Sequence, residues 1–329
     1  MRAGHEVTLF ASGDSVTIAR LVASTSRALR LGPRDGVEPY AAQTLMAELL
    51  AQRVERGKFD VIHLHTDYLF WPLARRLGVP HVTTMHGRLD LGGLGPLFVE
   101  FADTPVVSIS DSQRRPFPRA HWRATIPHGV PETLYRPGEG SGRYLAYLGR
   151  ISPEKGPAQA IAIAERTRIP LKMAAKVDDA DRDYFEAEIS PLLDSPYVEF
   201  IGEIGDRDKE AFLGQAAALL FPIDWPEPFG LAMIEALACG TPVVAFNRGS
   251  VPEVIRHGIS GFIADDLDEA VRAVENLPLI SRVECRAQFD QRFSARRMAE
   301  DYVAVYEGLV EHRHTGGPSE QGFALAVPA

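Results

Sequence analysis

The sequence has little of what secreted and membrane proteins usually carry. Only two cysteines, Cys239 and Cys285, occur in 329 residues. They are too few for a disulfide framework and lack the spacing of metal ligands. No apolar run approaches the roughly 20 residues that a membrane helix needs, and the N-terminus MRAGHEVTLF lacks the apolar core of a signal peptide. These absences predict a protein without a transmembrane segment, located in the reducing cytoplasm.

Basic residues are also outnumbered, with 35 Lys and Arg against 44 Asp and Glu. The formal net charge of −9 at pH 7 does not suit a nucleic-acid-binding protein, which would present a basic face, or strong attachment to anionic membranes. We therefore expect no nucleic-acid partner. The chain does have length and apolar content, because 329 residues with 45% hydrophobic side chains suffice for two domains with separate cores.

Short apolar runs alternate with amphipathic helical segments along most of the chain. Strands are predicted at DVIHLH (60–65), PHVTTMH (80–86) and TPVVSIS (104–110). The alternation restarts with further strands at RYLAYLGR (143–150), PLKMAAK (170–176), YVEFIG (197–202), AALLFP (217–222) and PVVAF (242–246), with helices between them that include 157–168 and 180–193. This βαβα order predicts an α/β fold with parallel sheets covered by helices on both faces. We predict two doubly wound, Rossmann-like domains that face a cleft.

A linker is predicted between the two domains. The segment YRPGEGSG (135–142) contains three glycines and has no apolar period. The remaining assignments are an N-terminal domain at 1–136, a C-terminal domain at 143–292, a final helix at 293–311 that crosses back to the N-terminal domain, and a disordered tail at 312–329.

The first domain begins unusually. A doubly wound domain normally opens with a central strand and a glycine-rich turn, and neither precedes the strand predicted in HEVTLFAS (5–12). We therefore expect an N-terminal domain that is incomplete at its start and a sheet that lacks a central member.

Two cations follow directly on a predicted strand in LAYLGRISPEKG (145–156). Ligands of open α/β sheets bind at the carboxyl ends of the strands. The fork of Arg150 and the point charge of Lys155 together suit a diphosphate. The alternative is a pair of solvated surface cations.

Two glutamates occupy very different settings in WPEPFGLAMIEALACGTPVVAF (225–246). Glu227 lies between two prolines that fix the backbone, and Glu235 lies in a predicted helix among apolar residues. Because a buried carboxylate needs a partner, Glu235 is expected to meet either two sugar hydroxyls or an internal Arg or Lys. The unpaired N–H groups at the helix start can bind ligand oxygens; that start is predicted near Phe229, Gly230 and Leu231.

These residues resemble a known family. EPFGLAMIE (227–235) matches the Glu-x7-Glu signature of the retaining family 4 glycosyltransferases of the GT-B class, and GRISPEKG (149–156) resembles their diphosphate-binding turn. ALACGTPVVAFNRGSVPEVI (236–255) and GISGFIADD (258–266) also resemble the C-terminal domain of that family. In the first half, TMHG resembles the strand-end histidine segment and IPHGV the segment near the hinge.

The resemblance implies an enzyme that moves a glycosyl group from a nucleotide-diphosphate sugar to an acceptor, with retention of anomeric configuration and without a metal or other cofactor. The acceptor, whether glycan, lipid or small metabolite, is not identified. Glu227 would bond the donor sugar, Glu235 the ribose, and His86 would touch the sugar beside the reacting carbon. The implied catalytic residues are His86, Arg150, Lys155 and Glu227, and the implied donor-binding residues are Arg150, Lys155, Phe229, Gly230, Leu231 and Glu235.

Three alternative functions compete with this one. A glycoside hydrolase would use Glu227 and Glu235 as acid and nucleophile, but a neutral glycoside has no diphosphate for Arg150 and Lys155 to hold. A catalytically impaired nucleotide-sugar-binding protein would explain the missing first strand and loop. A sugar-nucleotide epimerase has no motif in its favour.

Other polar residues have plainer interpretations. Ser110 is predicted to cap a helix, and His63 and His65, which lie on one predicted strand, are predicted to point to opposite faces. His65 would then either pack or reach an acceptor. Asp-x-Asp pairs fall at predicted helix starts, where acids are favoured, and so do not predict a metal site; they occur at 179–181, 181–183, 206–208 and 266–268.

Overall fold

The computed structural model describes residues 4–29, 38–57 and 59–314. These residues fall into two compact units, one drawn from Met1–Thr84 and Gly308–Ala329 and the other from Met85–Glu307. The predicted domain boundaries at 136 and 143 remain predictions. None of the helices in the described part of the chain is long and apolar enough to cross a membrane.

The first unit contains two parallel strand pairs. β1 (Thr8–Ala11) pairs with β2 (Arg20–Ala23), and β3 (Ile62–Leu64) pairs with β4 (His81–Thr84). The helices are α1 (Pro39–Arg56) and the short α2 (Trp71–Ala74). Strands β3 and β4 confirm the predictions at 60–65 and 80–86, whereas β2 was not predicted.

The two histidines near β3 do not lie as predicted. The rings of His63 and His65 have centroids 4.0 Å apart, so the prediction that they point to opposite faces was wrong. The reason is that side chains two residues apart on a strand point to the same face, so strand alternation itself favours a contact between these two rings. His63 Nε2 lies 2.7 Å from the hydroxyl oxygen of Thr84.

The second unit contains most of the secondary structure. Its strands are β5 (Val106–Ser108), β6 (Trp122–Thr125), β7 (Leu145–Arg150), β8 (Leu171–Lys176), β9 (Val198–Gly202), β10 (Ala218–Phe221), β11 (Val243–Phe246) and β12 (Gly261–Ala264). Its helices are α3 (Leu94–Glu100), α4 (Asp111–Arg114), α5 (Pro157–Thr167), α6 (Arg182–Tyr184), α7 (Asp206–Gln215), α8 (Leu231–Ala238), α9 (Val251–Val254), α10 (Leu267–Glu275), α11 (Arg282–Arg292) and the first part of α12 (Ala295–His314).

Six strands of this unit form one parallel sheet in the order β12-β11-β10-β7-β8-β9. Alternate strand residues enter two separate cores: Leu219 and Phe221 pack with α8 and α11 on one face, and Ala218 and Leu220 pack with α5 and α10 on the other. The sheet is therefore covered by helices on both faces, which confirms the doubly wound arrangement predicted for this region. β5 and β6 form a further parallel pair.

Three arginines near the C-terminal end of the chain fix the irregular segment 126–142. Each guanidinium donates to backbone carbonyl oxygens of that segment: Arg282 to Gly138, Arg286 to Glu132 and Tyr135, and Arg297 to Pro127 and His128. Gly129 passes so close to Ser294 that a Cβ would overlap its carbonyl oxygen, so only glycine allows this approach. The predicted linker, 135–142, is hydrogen-bonded along its length, because the N–H groups of Arg136, Gly140 and Gly142 also donate to residues of α7.

Two predicted helix boundaries differ from the structure. A single helix was expected over 180–193, but the chain forms 3₁₀ turns on either side of α6 and a π-helical turn, Phe185–Ile189. Pro191 lacks an N–H donor and clashes with the preceding turn, which breaks a regular helix. The final helix α12 continues to His314, and the rest of the predicted tail, 315–329, lies outside the described residues.

Candidate active site

Strand β7 and the turn that follows it carry the two predicted cations, Arg150 and Lys155. The strand ends at Arg150, and one 3₁₀ turn, Pro153–Lys155, follows it. Gly156 closes the turn at φ +66°, and a Cβ there would overlap the carbonyl oxygen of Pro222. Because only glycine allows this approach, the turn lies directly against the segment that follows β10.

Lys155 and Glu227 form an ion pair where these two segments meet. Lys155 Nζ lies 2.5 Å from Oε2 of Glu227, and the same oxygen accepts a hydrogen bond from Trp225 Nε1 at 2.9 Å. The Lys155 ammonium also lies 4.5 Å from the centroid of the Trp225 ring. Glu227 is only 8% exposed, so the lysine balances a carboxylate that water reaches poorly. The resemblance assigned Lys155 to the diphosphate and Glu227 to the donor sugar. In the structure these two side chains are direct partners.

The backbone around Glu227 is fixed from two sides. Pro226 and Pro228 restrict its neighbours, and the N–H of Ser250 donates to the Glu227 carbonyl oxygen at 2.9 Å. Gly249 adopts φ +55°, and a Cβ there would overlap the Glu227 backbone. Among the residues that the structure describes, none donates a hydrogen bond to Oε1 of Glu227. This oxygen is thus an acceptor held at a fixed position.

Helix α8 begins with backbone donors that have no partner inside the helix. Gly230 precedes it at φ +81° and provides no side-chain cap. Phe229 is buried, and its carbonyl oxygen accepts from the Ser250 hydroxyl at 3.0 Å, whereas Leu231 is exposed. The N–H groups and the positive end of the helix dipole suit an anion or hydroxyl oxygens.

Glu235 points from α8 toward a lysine of α7. Its Oε1 accepts from Lys209 Nζ at 2.9 Å and from the Tyr135 hydroxyl at 3.2 Å. Lys209 Nζ also lies 3.1 Å from Oδ1 of Asp206. The sequence left either sugar hydroxyls or an internal Arg or Lys as partners of this carboxylate. The structure shows an internal lysine. Lys209 cannot be singled out from the sequence, because nothing in its spacing marks it.

Arg150 lies among acidic side chains. Its NH2 group donates to Oε1 of Glu154 at 2.7 Å, Nε lies 3.3 Å from Oδ2 of Asp181, and NH1 lies 3.8 Å from Oδ2 of Asp178. Burial alone would raise the pKa of Glu154, but a backbone hydrogen bond and the Arg150 guanidinium hold it below its usual value. A guanidinium has five N–H donors, and the Arg150 side chain is 44% exposed, so donors remain for a ligand.

His86 lies in a loop that Gln113 holds in place. The side-chain amide of Gln113, which is buried, donates to the carbonyl oxygens on either side of His86 at 3.0 and 2.8 Å. The His86 ring stacks on His128 with centroids 5.3 Å apart and planes 3° apart. His128 in turn meets the ring of Phe229 edge-on at 5.0 Å. The predicted histidine therefore connects through His128 to the start of α8.

Arg88 lies in the same loop as His86 and contacts Trp225 of the Glu227 loop. Its guanidinium donates to both carboxylate oxygens of Asp90 at 2.8 and 2.7 Å, and its Cζ lies 5.2 Å from the centroid of the Trp225 ring. The hydrogen-bonded Arg88 holds the pKa of Asp90 below its usual value. The sequence did not single out Arg88 or Trp225, because each lies beside a recognised motif but outside its signature positions.

The Asp-x-Asp pairs have structural partners. Asp266 accepts from the N–H of Glu269 at 2.8 Å and caps α10, and Asp206 and Asp208 lie in the first turn of α7, as predicted. Asp181 makes no capping hydrogen bond and contacts Arg150 instead. Within 4–29, 38–57 and 59–314, no group of three or more His, Cys, Asp or Glu side chains is arranged to hold a metal ion.

The Ser110 hydroxyl accepts from the N–H of Gln113 at 3.0 Å, which confirms the predicted cap.

Both halves of the chain match known families. Residues 1–132 match the family Glycosyltransferase Family 4, and residues 137–292 match Glycosyl transferases group 1. A D-inositol 3-phosphate glycosyltransferase of Thermobispora bispora is 27% identical over 309 residues, which cover 77% of this chain and 72% of the relative.

Solved structures share the fold. Sucrose-phosphate synthase from Thermosynechococcus elongatus superposes with a TM-score of 0.75 at 18% identity, covering 94% of this chain and 90% of the synthase. Anabaena HepE, solved in complex with UDP and glucose, gives a TM-score of 0.67 at 18% identity and covers 90% of this chain and 86% of its own. The fold is that of the GT-B glycosyltransferases.

The two family matches together extend over almost all of residues 1–292. The chain therefore belongs to the glycosyltransferases that join a family 4 domain to a group 1 domain, and it is a glycosyltransferase.

Proposed function

We propose that the protein transfers a sugar from a nucleotide-diphosphate sugar to an acceptor, retains the anomeric configuration and uses no metal ion. The observation that carries this proposal is the cluster of the β7 turn, the Glu227 loop and the uncapped start of α8. This cluster combines a cation, a fixed carboxylate oxygen and free backbone donors. The UDP complex of HepE, a protein of the same fold, supports a donor of this class.

The diphosphate is assigned to Lys155 and Arg150. Lys155 uses one ammonium proton on Glu227 and retains others, since an ammonium has three donors. The exposed guanidinium of Arg150 supplies a second positive group at the carboxyl end of β7, where ligands of parallel sheets bind. Stabilising the departing diphosphate anion in a partly dry site is the main electrostatic demand of this reaction.

Glu227 and His86 are assigned to the donor sugar. The free oxygen of Glu227 is positioned to accept from a sugar hydroxyl, and His86 is held beside the same loop through His128 and Phe229. In a same-face reaction, the acceptor oxygen bonds to the anomeric carbon on the face from which the diphosphate departs, which retains the configuration. The leaving phosphate oxygen takes the proton of the acceptor hydroxyl.

The test is calorimetric titration of nucleoside diphosphates into Arg150→Ala and Lys155→Ala. Each substitution should weaken binding by about 2–5 kcal/mol, which is about 30-fold or more in Kd, because each removes a charge-assisted contact. Lys172→Ala is the matched control, since it removes a lysine paired to Glu199 at 3.1 Å near the start of β8. Unchanged affinity in both site variants would contradict the assignment.

A further inference from the structure

Trp225 is joined to Glu227 through both its backbone and its side chain. The carbonyl oxygen of Trp225 accepts from the N–H of Glu227 at 2.8 Å, and the indole Nε1–H donates to Oε2 of the Glu227 carboxylate at 2.9 Å. Pro226, the residue between them, restricts the backbone of this turn. Three consecutive residues therefore set the position of the indole N–H against the carboxylate.

The two donors to Oε2 of Glu227 differ in what they can fix. Lys155 Nζ reaches the same oxygen at 2.5 Å, but an ammonium carries three rotatable donors on a flexible stem and can bond either oxygen of a carboxylate. An indole has one N–H in the plane of a rigid ring, so it bonds only where the ring directs it. Lys155 thus balances the charge, whereas Trp225 selects the oxygen that faces the lysine.

The ring of Trp225 is itself held by two cations. The Lys155 ammonium lies 4.5 Å from the ring centroid, and Cζ of Arg88 lies 5.2 Å from it. Arg88 follows His86 by two residues in the same loop. The indole is therefore the group at which the His86 loop meets the ion pair of Lys155 and Glu227.

We propose that Trp225 is a positioning residue whose indole N–H turns the Glu227 carboxylate so that Oε1 faces the donor sugar. This inference rests on the proposed function, in which Oε1 accepts from a hydroxyl of that sugar. The last torsion of a glutamate side chain is broad, so without the N–H the carboxylate can rotate on the lysine. The diphosphate contacts assigned to Lys155 and Arg150 do not depend on this rotation. The loss therefore falls on turnover and not on nucleoside diphosphate affinity.

The experiment uses Trp225→Phe, which keeps an aromatic face for the two cations and removes the N–H donor. UDP-glucose, ADP-glucose and GDP-mannose are offered to the full chain, and the one that the wild type hydrolyses fastest is the probe. Release of nucleoside diphosphate at saturating donor should fall about tenfold or more, the value of a hydrogen bond to a charged group. The dissociation constant of the nucleoside diphosphate, measured by calorimetry, should stay within about threefold of the wild-type value.

Trp122 provides a matched control. Its Nε1 donates to the carbonyl oxygen of Phe117 at 2.8 Å, and Cζ of Arg114 lies 5.2 Å from its ring centroid. It therefore makes the same kinds of contact as Trp225, but on β6 and not in the Glu227 loop. Trp122→Phe should leave turnover unchanged.

A double-mutant cycle separates positioning from general support of the loop. If Trp225 acts through the Glu227 carboxylate, Trp225→Phe should lower turnover no further once Glu227→Ala has removed that carboxylate. A side chain that only stabilises the loop would lower turnover by the same factor in both backgrounds.

The outcomes are distinct. Wild-type turnover in Trp225→Phe would overturn the inference, and so would an equal loss in the Glu227→Ala background or a loss that Trp122→Phe reproduces. Each of these results would leave the proposed function in place, because the wild type would still release nucleoside diphosphate. If the wild type hydrolyses none of the three donors and binds no nucleoside diphosphate, the proposed function fails, and this inference fails with it.

Discussion

Two glutamate–lysine pairs of the second unit differ in how the chain builds them. Glu227 lies in a loop that prolines, Ser250 and Gly249 fix through the backbone, and its lysine comes from a turn that is 72 residues away in sequence. Glu235 lies on a regular helix, and Lys209 on the neighbouring α7 lies 26 residues away. In both pairs the lysine occupies one carboxylate oxygen. The loop therefore fixes an acceptor through the backbone, whereas the helix fixes one through side chains.

The largest expected effect belongs to the loop pair. Glu227→Ala removes the acceptor assigned to the donor sugar and leaves the Lys155 ammonium without its carboxylate. Turnover, measured as release of nucleoside diphosphate from the sugar donor, should fall about 10²–10³-fold, the usual cost of losing one fixed group at the reacting centre. Nucleoside diphosphate affinity should change much less.

A covalent glycosyl–enzyme adduct on Glu227, detected by mass spectrometry, would contradict this role. It would show that Glu227 attacks the sugar, as in a retaining hydrolase.

The helix pair should respond in the opposite way. Glu235→Ala removes the ribose acceptor, so the dissociation constant of the nucleoside diphosphate should rise about tenfold or more. Turnover at saturating donor should fall by a smaller factor than in Glu227→Ala, because the ribose is remote from the reacting bond. If the two variants show the same division between affinity and turnover, the comparison between loop and helix does not hold.

The smallest effect is expected from metal removal. The proposed site meets the diphosphate charge with Arg150, Lys155 and the α8 backbone, so EDTA should leave nucleoside diphosphate affinity and donor turnover unchanged. Calorimetry and the release assay, each with EDTA and with added Mg²⁺, check this. Loss of activity in EDTA that Mg²⁺ restores would contradict the proposal and would direct attention to Asp178 and Asp181, beside Arg150.

The sequence predicted the elements that local pattern determines. Apolar runs located five of the six strands of the large sheet, all except β12, and the prolines around Glu227 correctly indicated a fixed loop before α8. Residues that act through distant partners could not be predicted in this way. Nothing in the neighbourhood of Lys209 reveals its partner Glu235, and Trp225 meets Lys155 and Arg88 only when the chain folds. The pairing of Lys155 with Glu227 likewise depends on Gly156 meeting Pro222, which is a tertiary contact.

Two expectations fail for reasons that elementary geometry supplies. His63 and His65 do not point to opposite faces, because side chains two residues apart on a strand share one face, and their rings approach to 4.0 Å. Pro191 interrupts a stretch whose composition favours a helix, because it lacks an N–H donor. In both cases the position of a single residue decides the outcome.

The arginine contacts to segment 126–142 have a consequence for the order in which the chain becomes structured during synthesis. Segment 126–138, which includes His128, is anchored by Arg282, Arg286 and Arg297. A ribosome that has produced only the first half of the protein has not yet made these anchors. The loop that presents His128 to His86 therefore stays unanchored until α11 and the start of α12 have emerged, and the candidate active site matures among the last parts of the molecule.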